Sequence, residues 1–171
     1  MAVTEKTPIT FWLSKLLLIG MGLLAFAAIV LGFTAVMMMF PNGFQEQIFA
    51  GVSASKPMVS PSQMALMCAG MVIIAAAWFF VLKKLRAVVL TVRDGDPFVP
   101  ENIKRLRHIW LIIALAEIFR MVMHAMGSVQ NNGGADIDIR LGTWFLVFVI
   151  ATLAEAFRYG AELRREQELT I

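Results

Sequence analysis

The stretch from Asp94 to Trp110 reads DGDPFVPENIKRLRHIW, and a long apolar run lies on each side of it. Gly95 breaks the preceding helical pattern. Pro100 suits the first turn of a new helix, where Glu101 meets the positive end of the helix dipole. Apolar residues then recur at helical spacing into the next apolar run. The stretch therefore predicts the tip and the returning arm of a helical hairpin.

The remainder of the chain is mostly apolar. Hydrophobic residues make up 59% of its 171 positions, and residues 16–45 and 57–82 carry no charge. Each of these runs exceeds the roughly 20 residues that cross a bilayer core. Residues 109–126 and 141–159 are also long enough but contain charges. We expect one all-α domain, residues 1–171, an integral membrane four-helix bundle. Its helices should span about 11–40, 62–92, 100–127 and 140–166.

The basic residues predict the orientation of these helices. Twelve of the 15 Lys and Arg residues lie before the first run, between the second and third runs, or at the end of the fourth. By the positive-inside rule, we expect both termini and the hairpin to lie in the cytoplasm. The first run is longer than the core of a signal peptide, so we expect a retained helix. Topology also explains the pI near 9.4 without any direct contact to nucleic acid.

The hairpin permits two interpretations. In the first, its cations anchor the chain at anionic headgroups, and Trp110 and Arg158 mark the interface with the lipid bilayer. In the second, Phe98 is an aromatic side chain exposed on a constrained turn, where it docks a cytoplasmic partner. The residues by themselves favour the first interpretation.

The hairpin segment, together with AEAFRYGAELRREQELTI at 154–171, resembles the bacterial membrane-protein family known as domain of unknown function 2975. The resemblance implies a small four-helix membrane protein in the inner membrane of a bacterial cell. It also implies a regulatory role, because genes of this family often lie beside that of a helix-turn-helix transcriptional regulator. Residues of the shared central pattern would then contact that regulator: Pro97, Phe98, Glu101, Asn102, Arg105 and Arg107.

Charged residues recur inside the last two spans. LAEIFR at 115–120 returns as LAEAFR at 153–158. Ionisable groups in a span are costly and normally face a partner. Because the third and fourth helices run in opposite directions, we expect Arg120 to pair with Glu155 and to share Glu117. His124 lies one turn further along the third helix.

This predicted polar cluster also has two interpretations. A structural clamp that fixes the pairing of the helices is favoured. The alternative is the handling of protons, a polar ligand or a metal. Transport would need a homo-oligomer, which the small-xxx-small spacing of Ala65 and Ala69 permits.

Sulfur side chains form two clusters in the sequence, one in the second span and one in the third. Soft ligands at such spacing can hold Cu(I), but we interpret them as flexible packing. We expect no metal and no cofactor. No catalytic motif is found, so the chain is not expected to be an enzyme. The clusters are Met64, Met67, Cys68 and Met71, and Met121, Met123, His124 and Met126.

Overall fold

The fold was analysed in a computed structural model that describes residues 8–40, 61–132, 134 and 136–169. These residues form four α-helices and no strand. All four helices are long and apolar enough to cross a membrane. The prediction of an all-α membrane bundle is confirmed. The helices are α1 Pro8–Met37, α2 Pro61–Arg93, α3 Pro100–Asn132 and α4 Leu141–Leu169.

Four helix ends differ by three residues or more from the sequence-based bounds: both ends of α1, the end of α3 and the end of α4. Helix α1 ends at Met37 rather than near residue 40, and the amide of Phe40 donates to the Met37 carbonyl in a turn. Phe40 precedes a proline, whose ring disfavours the helical conformation of the residue before it. Helix α3 continues to Asn132 rather than ending near 127, and it passes through Gly127 without a break.

Successive helices pack on each other in chain order: α1 on α2, α2 on α3, and α3 on α4. The buried core lies where the last three helices meet. Helix α3 supplies most of it, through apolar residues three and four positions apart that share one face. The core residues are Val81, Leu106, Ile109, Ile113 and Ala154.

The outer surface is unusually apolar. Along α1, Leu23, Phe26 and Ile29 expose 65%, 68% and 70% of their surface. A contiguous patch of this kind is far larger than a soluble monomer presents to water. Hydrocarbon is the solvent that suits it, and helices satisfy their own backbone hydrogen bonds there. The protein is therefore a multi-pass membrane protein.

A glycine closes the hairpin between α2 and α3. Gly95 has a φ of 92°, in the left-handed region that side chains disfavour. Its amide donates to the Val92 carbonyl, and the Asp96 amide donates to the Thr91 carbonyl. This pair of bonds caps the last turn of α2 and reverses the chain. The predicted break at residues 94–95 thus has a specific backbone cause.

Candidate functional sites

The hairpin is held by an amide at its centre. Asn102, in the first turns of α3, exposes 0% of its surface. Its Nδ2 donates to Thr91 Oγ1 at 2.7 Å and to the Pro97 carbonyl at 2.9 Å. One side chain therefore joins α3, α2 and the turn between them. Because the group is fully buried, each of these bonds matters for stability.

Arg105 completes this arrangement. Its Nη1 donates to Asn102 Oδ1 at 2.8 Å and to the Ala87 carbonyl at 3.3 Å. We call Ala87, Thr91, Pro97, Asn102 and Arg105 the Asn102 network. Two of the residues predicted to contact a partner, Asn102 and Arg105, are thus engaged within the hairpin itself.

Phe98 lies against α4. A Cβ placed on Gly160 would come within 2.7 Å of Phe98 Cε1, so the ring fills the space that this glycine leaves. The Phe98 and Phe157 rings are 5.5 Å apart between centroids. Phe98 keeps 37% of its surface exposed. It is therefore a partly exposed contact between the hairpin and α4.

The other predicted docking residues differ in their surroundings. Glu101 and Arg107 are exposed, and the Pro97 carbonyl belongs to the Asn102 network. Arg107 Nη2 lies 3.9 Å from Glu155 Oε2. The six predicted residues come together at one end of the hairpin, but only Glu101 and Arg107 are free of the packing that shapes it.

Within the predicted spans, Arg120 lies at the centre of a charged cluster. Its Nη2 donates to Glu117 Oε1 at 2.6 Å, and its Nη1 donates to Asp138 Oδ2 at 2.8 Å. The side chains of Arg120 and Glu117 expose 14% and 7% of their surface. We call Glu117, Arg120 and Asp138 the Arg120 cluster. Sequence reasoning identified Glu117 as a partner of Arg120 but missed Asp138.

A polar ladder extends from this cluster along α3. Arg120 Nη2 also donates to the Asp138 carbonyl, His124 Nδ1 lies 3.2 Å from the Asp136 carbonyl, and Ser128 Oγ accepts the Asp136 amide. These bonds hold residues 136–140, the return segment, against α3. Non-helical backbone in an apolar setting needs such partners. The four-residue spacing of Arg120, His124 and Ser128 was the sequence signal for this face.

The predicted ion pair between Arg120 and Glu155 does not form. Glu155 instead pairs with Arg158 and lies near Arg107. The cause is the return segment, which brings the chain back along α3 to the level of Arg120 before α4 begins at Leu141. Glu155 is then 14 residues, about 21 Å, further along α4. It belongs to a second cluster at the level of Arg107.

Comparison with known proteins gives one match. Residues 12–171 match the family described as "Protein of unknown function (DUF2975)". The chain belongs to the DUF2975 family. The resemblance seen in the hairpin and in the C-terminal segment is thereby confirmed over nearly the whole chain. Searches of curated proteins and of solved structures gave no match.

The predicted interface anchors of the DUF2975 protein, Trp110 and Arg158, lie on α3 and α4. Trp110 is half-buried on α3, three residues beyond Arg107. Arg158 pairs with both Glu155 and Glu162, and its guanidinium carbon lies 4.9 Å from the centre of the Tyr159 ring. The pairing of a cation with an aromatic ring at Arg158 and Tyr159 is a combination that is common at membrane interfaces.

These contacts limit the chemistry that is open to Arg120 in the DUF2975 protein. Arg120 uses its three nitrogens on Glu117 and Asp138, so its guanidinium is occupied. Within the residues that the structure describes, no three His, Cys, Asp or Glu side chains are grouped to hold a metal. The Arg120 cluster has the contacts of a structural clamp.

Proposed function

We propose that this DUF2975 protein is a regulatory membrane protein that presents the end of its α2–α3 hairpin to a cytoplasmic transcriptional regulator. The surface that the regulator binds would combine the outer side of the hairpin with the neighbouring part of α4. The single observation that supports this most is the Asn102 network, which fixes the hairpin end through a fully buried side chain.

The length of the hairpin supports the proposal. Helix α2 continues for ten residues after Lys83, the first charge that follows its apolar run, which corresponds to about 15 Å. Helix α3 begins ten residues before Trp110. Neither extension is needed to cross a bilayer. The positive-inside rule predicts that both project into the cytoplasm.

A rigid surface also favours binding. Ordering a loop on association costs free energy, and a surface that is already ordered avoids this cost. Phe98 on Gly160 and the ion pair between Asp96 and Arg164, at 2.7 Å, join the hairpin to α4. The hairpin end therefore offers a partner one preformed surface rather than a loose turn.

The exposed side chains on this surface are largely charged. Their mixture suits recognition of a soluble protein through complementary charges, which sets specificity and association rate. The family resemblance implies that the partner is a helix-turn-helix regulator. Held at the membrane, such a regulator would be kept from its DNA. The exposed residues of α3 on this surface are Glu101, Lys104, Arg107 and His108.

Photo-crosslinking in cells tests this proposal. A photoreactive amino acid at position 101 reports on the exposed hairpin. The matched control has the same photoreactive amino acid in place of Phe145, which lies in the apolar span of α4 and is 69% exposed. We expect position 101 to capture one helix-turn-helix protein and position 145 to capture lipid. Charge reversal by Lys104→Glu should reduce capture at least tenfold without lowering abundance. Lipid alone at both positions would contradict the proposal.

Two alternative functions stay predictions: the handling of protons, a polar ligand or a metal, and a purely structural role in the membrane. The first used Glu117, Arg120, His124 and Glu155 as one cluster. In the structure Glu155 lies apart from the other three, and Arg120 is fully engaged. If Glu117→Gln abolishes activity in cells at unchanged abundance, this alternative replaces the regulatory proposal.

A further inference from the structure

One arginine lies on the face of α2 that packs against α1. A Cβ placed on Gly20 of α1 would lie 3.3 Å from Leu82 Cδ1. A Cβ placed on Gly32 would lie 4.0 Å from Val72 Cγ2, so the two helices run antiparallel. Arg86 follows Leu82 by four residues and therefore lies on the same face of α2, one turn nearer the hairpin.

This arginine has no counter-charge. The side chain of Arg86 is half-buried, and its Nε atom is buried without a hydrogen-bond partner. In the part of the chain that the structure describes, neither Arg86 nor the exposed Lys83, one turn before it, forms an ion pair. Helices α1 and α2 contain no Asp or Glu that could supply one. Because a buried charge without a counter-charge is costly, the position favours a ligand with negative charge.

The arginines of α3 and α4 near the hairpin differ in this respect. Arg107, Arg158 and Arg164 each have a carboxylate partner. The comparison with Arg158 is the closest, since its Nε atom is also buried without a hydrogen-bond partner. Its Nη2 atom, however, pairs with Glu155. These three arginines are neutralised within the bundle, whereas Arg86 is not.

Trp110 marks one limit for the depth of Arg86 in the bilayer. Asn102 bonds to Thr91 at 2.7 Å, so these two residues lie at one depth. Trp110 follows Asn102 by eight residues, about 12 Å along α3. Since α2 runs antiparallel to α3, Trp110 lies at the depth of Lys83, one turn from Arg86.

Trp12 marks the other limit. It precedes Gly20 by eight residues, and Gly20 lies at the depth of Leu82. Trp12 is then level with residue 90 of α2, about 6 Å beyond Arg86 toward the hairpin. Tryptophan favours the headgroup level of a bilayer. Arg86 therefore lies between two tryptophans, at the depth where lipid phosphates are found.

We propose that Arg86 and Lys83, the Arg86 site, bind the phosphate of one anionic phospholipid beside the contact between α1 and α2. A guanidinium offers paired N–H donors that match a phosphate, and the lysine one turn away adds a second charge. Basic sites between transmembrane helices bind anionic headgroups in this way. The acyl chains extend along the apolar surface of α1 and α2. The site is independent of the proposed regulator surface, which uses α3 and α4.

Native mass spectrometry of the full-length protein in an uncharged maltoside detergent tests the Arg86 site. Phosphatidylglycerol and phosphatidylcholine with the same acyl chains are added at equal concentration, and only the first carries a net charge. We expect one bound phosphatidylglycerol per chain, with a preference of about tenfold or more over phosphatidylcholine. Equal retention of the two lipids overturns the inference. Displacement of the lipid by inorganic phosphate at the same concentration also overturns it, because the site would then select a free anion.

Matched variants assign the binding to these residues. Arg86→Gln should lower the retention of phosphatidylglycerol about tenfold or more, because it removes the charged donors. Arg86→Lys keeps the charge without the paired donors and should give an intermediate loss. The control is Arg165→Gln, which removes an exposed arginine from α4 and should leave retention unchanged.

Two outcomes of the variant series contradict the Arg86 site. Unchanged retention in Arg86→Gln overturns it, and so do equal losses in Arg86→Gln and Arg165→Gln. If thermal unfolding shows that Arg86→Gln misfolds, the exposed Lys83→Gln decides. A loss of retention in Lys83→Gln that the Arg165→Gln control lacks supports the inference, and unchanged retention overturns it.

Discussion

The Asn102 network and the Arg120 cluster do the same task with different chemistry. Each fixes a non-helical connection against α3: the first holds the turn before that helix, and the second holds the return segment after it. The first uses a neutral amide with 0% exposure. The second uses an arginine, 14% exposed, between two carboxylates.

The difference between the two groups shows what a buried amide and a buried charge each require. A buried amide needs only hydrogen-bond partners, and the turn, α2 and Arg105 provide them. A buried charge needs a counter-charge as well, because the desolvation of an unpaired ion is far more costly. The Arg120 cluster should therefore lose more stability than the Asn102 network when one member is removed. Four substitutions test this comparison, taken here from the largest expected effect to the smallest.

Removal of the Glu117 charge should have the largest effect. Glu117→Gln leaves Arg120 with one of its two carboxylates in a site where both side chains are mostly buried. We expect a loss of about 3 kcal/mol in the free energy of unfolding in detergent. The double variant Glu117→Gln/Arg120→Gln should recover part of this loss, since it leaves no uncompensated arginine. A single-variant loss well below that of Asn102→Ala would reverse the comparison.

Loss of the central amide should come next. Asn102→Ala leaves the Pro97 carbonyl, Thr91 Oγ1 and one donor of Arg105 without this partner. We expect a loss of about 2 kcal/mol, measured by denaturant unfolding, together with faster proteolysis at the turn. Thr91→Val removes the contacts of the amide with the Thr91 hydroxyl but leaves those with Pro97 and Arg105, so it is the control and should cost less. Equal stability of Asn102→Ala and the wild type would show that the network does not hold the hairpin.

Crowding between the hairpin and α4 should cost less. Gly160→Ala places a methyl group 2.7 Å from Phe98 Cε1, and we expect a loss of about 1 kcal/mol. Phe98→Leu in the same chain should relieve it. Gly22→Ala is the matched control, because a Cβ there meets nothing within 4 Å. If thermal unfolding responds alike to both glycine substitutions, the contact of Phe98 with α4 is not tight.

The ion pair between the hairpin and α4 should matter least. Asp96 and Arg164 are about half exposed, and exposed pairs contribute little. Asp96→Asn should lower the free energy of unfolding by about 0.5 kcal/mol at low salt. The effect should vanish near 1 M salt, where screening is strong. A larger loss that persists at high salt would show that the Asp96 ion pair stabilises the fold as a buried interaction does, which contradicts this prediction.

Much of the fold could be predicted because its signals are local. Runs such as 16–45 without a charge predict spans, and the breakers at Gly95 and Pro100 predict the hairpin. The site could be predicted only in part. Glu117 is one helical turn from Arg120, so their pairing follows from helix geometry. The Asp138 partner lies 18 residues away and depends on how the chain returns.

The sequence by itself determined the number of helices, their breaks and the family, because apolar length, proline, glycine and a specific residue pattern act within short windows. Only the tertiary structure decided which charges from different segments meet. The return segment runs back along α3, so α4 starts near Arg120 and carries Glu155 about 21 Å away. Likewise, only packing placed Phe98 on Gly160 and Met123 on Gly70. Contacts between helices depend on relative depth and rotation, which no local pattern encodes.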